Sequence, residues 1–333
     1  MTPYTLHGFN PSPYSVKMRA LLRYRRIPFV WQQVGWPRDL AVKNNLPPVI
    51  PILTFPDGRV MNDSTPLAYA LEREHKERSV IPDDPALAYI SDLLEDFGDE
   101  WLTKLMFHYR WYYEADRKFA QVWVVSSRDP QMEAGQRQRT MQEFNDRQVG
   151  RMALVGCTEQ NRPVIEESYR FVLDTLDAHV RTMPFLLGSR PSLADFGIYG
   201  QLQILSVDPT PAAEMRQRAP DLFCWLLRLD DASGVDGEWL AADASLPPAV
   251  TSLLRHVGQT YLPFLAANAQ ALQDAKSEFT VELLGRPFAQ GPFRYQGKCY
   301  DALRKKHAAL PAAARRKLDP VLEETGCLRW LAS

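Results

Sequence analysis

A serine stands at the predicted start of the first helix, where its hydroxyl could act on a thiol. Ser12 follows an extended stretch over residues 4–9 and precedes Pro13, a residue favoured at the first position of a helix. The free N–H groups and positive dipole end of a helix lower the pKa of a thiol held there. The hydroxyl of Ser12 could donate to such a thiolate. Plain capping of the helix is the alternative, and the two roles are compatible.

The dipeptide Ile50-Pro51 stands at the head of a short apolar run over residues 50–55. Proline within sheets is usually confined to edges or to the first residue of a strand. A cis bond here would turn the main chain of Ile50 outward, so that its N–H and C=O could pair with an extended peptide ligand. An ordinary trans proline opening an edge strand is the alternative.

The third motif is Asp63-Ser64-Thr65-Pro66 at the start of another predicted helix. A helix N-terminus can bind a carboxylate, and the carboxylate of Asp63 could pair with an ammonium group. Plain capping by Ser64 or Thr65, with Pro66 just inside the helix, also explains these residue types without any ligand.

The elements that must position these motifs follow the order β-α-β, then β-β-α, which is a thioredoxin-like arrangement. The Pro56-Asp57-Gly58 turn joins the last two strands as a hairpin. The first two strands should be parallel, because a right-handed crossover helix connects them. The predicted strands and helices cover residues 4–9, 14–25, 27–34, 50–55, 59–61 and 66–74.

After a proline-containing linker at residues 79–85 the apolar spacing becomes helical, as in helices predicted over 87–107, 169–180 and 193–205. We therefore expect two domains, residues 1–80 and an all-helical region over 86–333. The charge-rich stretch 126–163 is interpreted as a partly helical insertion, and extra helices are expected after residue 235.

Composition excludes several classes of protein. The formal net charge of -1 over 333 residues gives no basic excess for binding duplex nucleic acid. The four cysteines are far apart, without a C-x-x-C pair, so neither a zinc site nor a dithiol redox centre is predicted. No metal is expected. The chain start does not resemble a signal peptide and no apolar run reaches membrane-spanning length, so a soluble cytoplasmic protein is expected.

Taken together, the three motifs resemble the cytosolic glutathione S-transferases in order and spacing. SPYSVKMRALL is similar to the first helix of that family, and VIPIL followed by PDGRVMNDS is similar to its cis-proline strand, hairpin and acidic-residue–serine pair. FLLGSRPSLADF resembles the capping-box motif of its buried helix, with Ser192 and Asp195 at S-x-x-D spacing. The resemblance covers about residues 1 to 230.

The resemblance implies an enzyme that activates the thiol of glutathione, its co-substrate, for attack on a small electrophile. The hydroxyl of Ser12 or of its neighbour Tyr14 would contact the thiol. Glutathione-binding residues would be Ile50, Pro51, Asp63, Ser64 and, by position only, Lys43. A serine rather than a cysteine at position 12 argues against the thiol-transferase branch, which forms a mixed disulfide. Homodimer formation and a role in detoxification are also implied.

Tyr109, Tyr112 and Tyr113 lie in an aromatic stretch at the place of the helix that lines the electrophile pocket in this family. Packing in the helical core is the alternative for most of these rings. The stretch 286–296, rich in arginine and aromatic residues, could cover the pocket, join a dimer or pack on the helices. A non-catalytic glutathione- or apolar-ligand-binding protein and a scaffold subunit are the competing functions.

Overall fold

The computed structural model describes residues 3–33, 38–241 and 243–332. The N-terminal part has a four-stranded sheet with strand order β2-β1-β3-β4. Strands β1 and β2 are parallel and β3 with β4 forms an antiparallel hairpin, as the sequence predicts. Strand β1 also pairs with β3, in antiparallel orientation. Residue 34, the predicted end of the second strand, lies outside the described residues. The elements are β1 (Tyr4–Gly8), α1 (Pro13–Tyr24), β2 (Phe29–Gln33), α2 (Arg38–Lys43), β3 (Ile52–Thr54), β4 (Val60–Asn62) and α3 (Ser64–Glu74).

Helix α1 begins as its sequence indicates. Ser12 is the N-cap in an extended conformation, its side chain accepts from the Ser15 N–H, and Pro13 opens the first turn. The apolar residues Met18, Leu21 and Leu22 are fully buried. Helix α1 is therefore fixed between the sheet and the helices that follow, with its N-terminus directed at the space between them.

The region after the linker is mainly helical, as predicted. The expected single helix over 87–107 is interrupted by one π-helical turn, Phe97–Trp101, which lies between α4 and α5. The helices are α4 (Pro85–Asp96), α5 (Leu102–Tyr112), α6 (Glu114–Arg128), α7 (Ala134–Val149), α8 (Arg162–Val180), α9 (Leu193–Leu205), α10 (Pro209–Arg218), α11 (Pro220–Asp230), α12 (Pro248–Gln259), α13 (Tyr261–Gln273), α14 (Arg294–Ala308), α15 (Ala312–Glu324) and α16 (Leu328–Leu331). Helix α7 lies within the stretch 126–163, which was interpreted as an insertion.

A two-stranded antiparallel hairpin, β5 (Phe279–Leu283) and β6 (Arg286–Gln290), is an addition to the expected all-helical region. Its turn residues Leu284 and Gly285 both have positive φ angles, 50° and 71°. Such turns favour Asn or Gly at both places, so leucine at the first gives little signal of a hairpin. The strands bury Phe279, Leu283 and Phe288 against the helical core.

Helix α9 crosses the centre of the molecule and packs against α1, α4 and the π-helical turn. The predicted capping box is present at its start. The Ser192 N–H donates to Asp195 Oδ2 at 2.8 Å, and the Leu186 N–H donates to Asp195 Oδ1 at 2.9 Å. Because the carboxylate satisfies donors of both the helix and the preceding loop, it fixes the entry of the chain into α9.

Every helix in the described part of the chain is too short or too polar to span a membrane.

Candidate functional site

Two adjoining cavities lie where the N-terminal sheet meets α5, and both are lined by Tyr14, Val49, Ile50 and Thr103. The first, named here the acidic cavity, has a volume of about 430 Å³ and is also lined by Asp63, Ser64, Asp99, Glu100, Lys104, Arg151, Leu154, Val155, Gln290, Phe293, Tyr295 and Gln296. The second, named the apolar cavity, has a volume of about 330 Å³ and is also lined by Phe9, Pro11, Ser12, Pro13, Met106, Phe107, Arg110, Trp111, Val124, Val125, Arg128, Thr140, Phe144 and Gln148.

Ser12 lines the apolar cavity at the N-terminus of α1 and is 9% exposed. Its Oγ accepts from the Ser15 N–H at 3.4 Å, whereas its own hydroxyl hydrogen has no acceptor among the described residues. The capping bond and a bond donated to a ligand can therefore exist together, and the helix N-terminus adds a positive field at this place.

Tyr14 lines both cavities, but the hydrogen of its hydroxyl is already used in a hydrogen bond within the protein. It donates to the main-chain oxygen of Asp99 at 2.9 Å, and burial raises the pKa of the phenol. Of the two hydroxyls considered from the sequence, that of Ser12 is the free donor.

The Ile50-Pro51 bond is cis, as expected. The main-chain N–H and C=O of Ile50 have no hydrogen-bond partner within the described part of the chain, and Ile50 lines both cavities. An extended ligand can pair with these groups in the manner of an added strand.

Asp63 precedes α3 with φ 75° and ψ 121°, and its side chain makes no capping bond. A non-glycine residue at such an angle is strained, a feature that clusters at ligand sites. Burial raises the pKa of Asp63, against the opposing effects of the Tyr295 hydroxyl and Lys17.

Ser64 joins Asp63 at the acidic cavity and also belongs to a buried ionic cluster. Lys17, fully buried on α1, donates to Glu95 and Asp99 at 2.6 Å each and to Ser64 Oγ at 3.3 Å. The Ser64 hydroxyl donates to Asp99 Oδ2 at 3.2 Å. Burial opposes the charge of Lys17, but the two carboxylates outweigh it and raise the lysine pKa. The cluster thus ties α1, α3 and the π-helical turn together under the cavity.

Two more ionisable groups face the acidic cavity from the π-helical turn and α5. Burial raises the pKa of Glu100 well above its ordinary value, and Asp96 and Asp99 add to the effect. Burial lowers the pKa of Lys104 to about 8. Lys104 Nζ donates to the main-chain oxygen of Val155 at 3.0 Å and to Gln290 Oε1 at 2.6 Å.

The C-terminal stretch that the sequence left open covers the acidic cavity. The Tyr295 hydroxyl donates to Asp63 Oδ2 at 3.2 Å, across 232 residues of sequence. Four residues of this stretch, named here the C-terminal wall, line the cavity: Gln290, Phe293, Tyr295 and Gln296.

The three tyrosines predicted to line an electrophile pocket lie outside both cavities. Tyr109, Tyr112 and Tyr113 line neither cavity, and their hydroxyls donate to Glu214, Glu159 and Glu166, respectively. The residues of α5 that do line the apolar cavity are Thr103, Met106, Phe107, Arg110 and Trp111. Their spacing of three and four residues places them on one face of α5. The tyrosines lie on the opposite face, where Tyr109 contacts Tyr169 of α8 and Glu214 of α10.

Lys43 is exposed on α2 and lines neither cavity. Three further residues at or beneath the acidic cavity, Lys17, Asp99 and Glu100, were not predicted from the sequence. A lysine on the otherwise apolar face of α1, four residues after Pro13, was a usable signal for a buried ion pair. No comparable signal marked Asp99 and Glu100, because they lie in the π-helical turn, and that turn was not predicted. No group of three or more metal-ligating side chains is arranged to hold a metal in the described ranges.

The thioredoxin-like sheet, the helical region that follows and the cavities between them define a glutathione S-transferase-like fold. Residues 6–79 match the family model described as the glutathione S-transferase N-terminal domain.

The solved structures that match this chain are distant from it in sequence. A glutathione S-transferase from Methylobacterium radiotolerans, in complex with glutathione sulfonate, is 20% identical, with 74% of this chain and 100% of that chain covered and a TM-score of 0.44. A family member from Pseudomonas fluorescens Pf-5 with bound glutathione is 18% identical, with 68% and 93% covered and a TM-score of 0.41. FzlA from C. crescentus is 20% identical, with 68% and 87% covered and a TM-score of 0.46. No curated protein matches the chain.

Proposed function

We propose that this protein binds glutathione across the two cavities and activates its thiol for attack on an electrophilic small molecule. The observation that carries the proposal is the grouping of Ser12, Ile50, Asp63 and Ser64 around cavities that share one wall. In the proposed pose the γ-glutamyl end lies at Asp63 and Ser64 in the acidic cavity. The cysteinyl main chain pairs with Ile50, and the sulfur lies beside Ser12.

Thiol activation follows from the position of Ser12. A hydrogen bond from the hydroxyl and the positive end of α1 both favour the thiolate, which lowers the thiol pKa. A reduction of two pKa units corresponds to about 2.7 kcal/mol of preferential stabilisation of the thiolate. The thiol proton passes to solvent. The sulfur then forms a bond to the electrophilic carbon, and the leaving group departs with the electron pair of the bond that breaks.

The electrophile would occupy the apolar cavity. Met106, Phe107, Trp111, Val125 and Phe144 give it aromatic and aliphatic walls suited to an apolar co-substrate. Phe144 comes from α7, so the inserted helix contributes to this pocket. An activated aryl halide is a suitable probe of turnover, because its ring can contact these side chains and halide is displaced by the sulfur.

Glutathione binding without turnover is the second candidate function. The observation that favours it is the C-terminal wall, which covers the acidic cavity and contacts Asp63 through Tyr295, because a covered site slows the exchange of substrate and product that turnover needs.

Isothermal titration of glutathione, combined with an aryl halide assay, tests the proposal. We expect the wild type to bind and turn over, Ser64→Ala to bind poorly, and Ser12→Ala to bind with a raised thiol pKa and slow turnover. Ser245→Ala, at an exposed position outside both cavities, is the control for a lost hydroxyl. Absence of binding by the wild type at millimolar glutathione contradicts the proposal, whereas binding without turnover selects the second candidate.

The cellular setting is also a proposal. All four cysteines are free thiols, which fits a reducing compartment, and we propose a cytoplasmic protein active in detoxification. Homodimer formation is proposed from the family resemblance alone, and analytical ultracentrifugation over a range of concentrations tests it.

A further inference from the structure

The C-terminal wall is held in place by two buried asparagine side chains. Asn161 Nδ2 donates to the Ala289 oxygen at 2.7 Å, and the Ala289 N–H donates to Asn161 Oδ1 at 3.0 Å. Asn268 bonds both main-chain groups of Phe293 in the same way, at 2.7 and 3.1 Å. Both asparagines are fully buried. Because each amide satisfies a donor and an acceptor of one residue, the segment is built as a fixed part of the cavity.

The acidic cavity contains more carboxyl groups than its own cations satisfy. Asp99 is 6% exposed, lines the cavity and has one buried oxygen, Oδ1, without a hydrogen-bond partner. Glu100 also lines the cavity, and its carboxyl group has no hydrogen bond or ion pair within the described residues. Lys104 donates hydrogen bonds to the neutral oxygens of Val155 and Gln290, and not to a carboxylate.

Unpaired buried carboxyl groups are costly, and a cation placed among them removes that cost. Asp63 and Glu100 line the same cavity, and the charge of Asp63 is among the causes of the raised pKa of Glu100. A single ammonium group between the two carboxyl groups would favour the ionised form of both. Arg151 lines the same cavity from the segment between α7 and α8, and its side chain is exposed.

We propose that Glu100 is a further ligand-binding residue, which together with Asp63 accepts the free α-ammonium group of the bound thiol peptide beneath Tyr295. This inference rests on the proposed function and deepens it. The N-terminal domain alone would supply one carboxylate for that group. In this chain the π-helical turn supplies a second, and the C-terminal wall closes the space around it. The site therefore selects γ-glutamyl thiols with an unmodified amino group.

The test compares glutathione with its analogue that lacks the α-amino group, by calorimetric titration into the wild type and Glu100→Gln. We expect the wild type to bind the deaminated analogue at least about tenfold more weakly, since a hydrogen bond to a charged group is lost. We expect Glu100→Gln to lose at least about tenfold in affinity for glutathione, yet to bind the analogue as the wild type does. Glu282→Gln, the same change on an exposed strand residue outside the cavity, should match the wild type with both ligands.

The outcomes separate the two proposals. No glutathione binding by the wild type removes the proposed function, and this inference with it. Binding by the wild type together with unchanged binding by a folded Glu100→Gln leaves the proposed function standing and overturns the role of Glu100. If Glu100→Gln fails to fold, a crystal structure of the wild type with glutathione decides. A Glu100 carboxylate within hydrogen-bond distance of the α-nitrogen supports the inference, and a longer separation overturns it.

Discussion

At the start of α1, one side chain has two separable tasks. Ser12 caps the helix by accepting from the Ser15 N–H, and its remaining hydroxyl hydrogen faces the apolar cavity. The capping role affects folding stability, whereas the donated bond affects only a ligand. Alanine removes both roles, but glycine is a competent N-cap and removes only the hydroxyl.

We therefore expect Ser12→Gly and Ser12→Ala to lose turnover equally, by about 100-fold, as is typical when one preorganised donor is removed. Their stabilities should differ, because the alanine variant also loses about 1 kcal/mol of capping energy. Urea unfolding and the aryl halide assay measure the two effects. Turnover that follows stability, with the glycine variant still active, would mean that Ser12 is only a cap.

A second prediction for a single residue concerns Lys17. It is fully buried between Glu95 and Asp99, so removing its charge leaves two carboxylates in the interior without their cation. We expect Lys17→Met to lower the free energy of unfolding by about 3–5 kcal/mol. Lys118→Met, which breaks an exposed ion pair with Glu114, is the matched control and should change stability little. Equal effects of the two variants would contradict the account of the cluster.

At the scale of elements, the π-helical turn Phe97–Trp101 decides where the acidic residues point. It is pressed against α9: a Cβ added to Gly98 would lie 2.7 Å from the carbonyl carbon of Gly197 and 2.8 Å from the nitrogen of Ile198. These are main-chain atoms, so a larger residue must move one of the two elements.

We expect Gly98→Ala to destabilise the protein by about 1–3 kcal/mol through overpacking and to weaken glutathione binding, because Asp99 and Glu100 move with the turn. Gly234→Ala, where an added Cβ meets no atom within 4 Å, is the control. Calorimetry and urea unfolding measure both quantities. Full stability in the Gly98→Ala variant would mean that the two helices do not approach as closely as described.

The elements also show how far sequence reasoning reaches. The order of strands and helices along the N-terminal part, the start of α1 and the capping box at Ser192 depend on residues close together in sequence, and these were predicted. The π-helical turn was missed because Phe97–Trp101 continues the apolar pattern of an ordinary helix. The C-terminal wall could not be placed, because the Tyr295–Asp63 contact joins residues 232 positions apart. Local patterns carry no information on such a pairing.

At the scale of the whole molecule, the stability should depend on pH through a buried histidine. His256 stacks on Phe171 with 4.3 Å between ring centroids and lies 3.1 Å from Ser168 Oγ. Burial lowers the pKa of His256 to about 4. As the pH decreases below about 6.5, His256 is protonated in the unfolded chain but stays neutral in the native state. The free energy of unfolding therefore falls as the pH decreases below that value.

From about pH 7.5 to about pH 5, His256 should remove about 2 kcal/mol of stability from the wild type. Glutamine cannot take up this proton. The free energy of unfolding of His256→Gln should therefore fall less than that of the wild type over this interval, by about 2 kcal/mol. The difference between the two proteins isolates the histidine from the carboxyl groups that titrate in the same range. Parallel pH profiles would contradict the low pKa of His256.

The ionisation of the glutathione thiol in the complex with the wild-type protein tests the central claim most directly. It is followed by the ultraviolet absorbance of the thiolate as the pH is raised. The account predicts that the bound thiol ionises about two pKa units below free glutathione, since Ser12 and the N-terminus of α1 both stabilise the thiolate. A bound thiol that ionises at the same pH as free glutathione would contradict activation at this site.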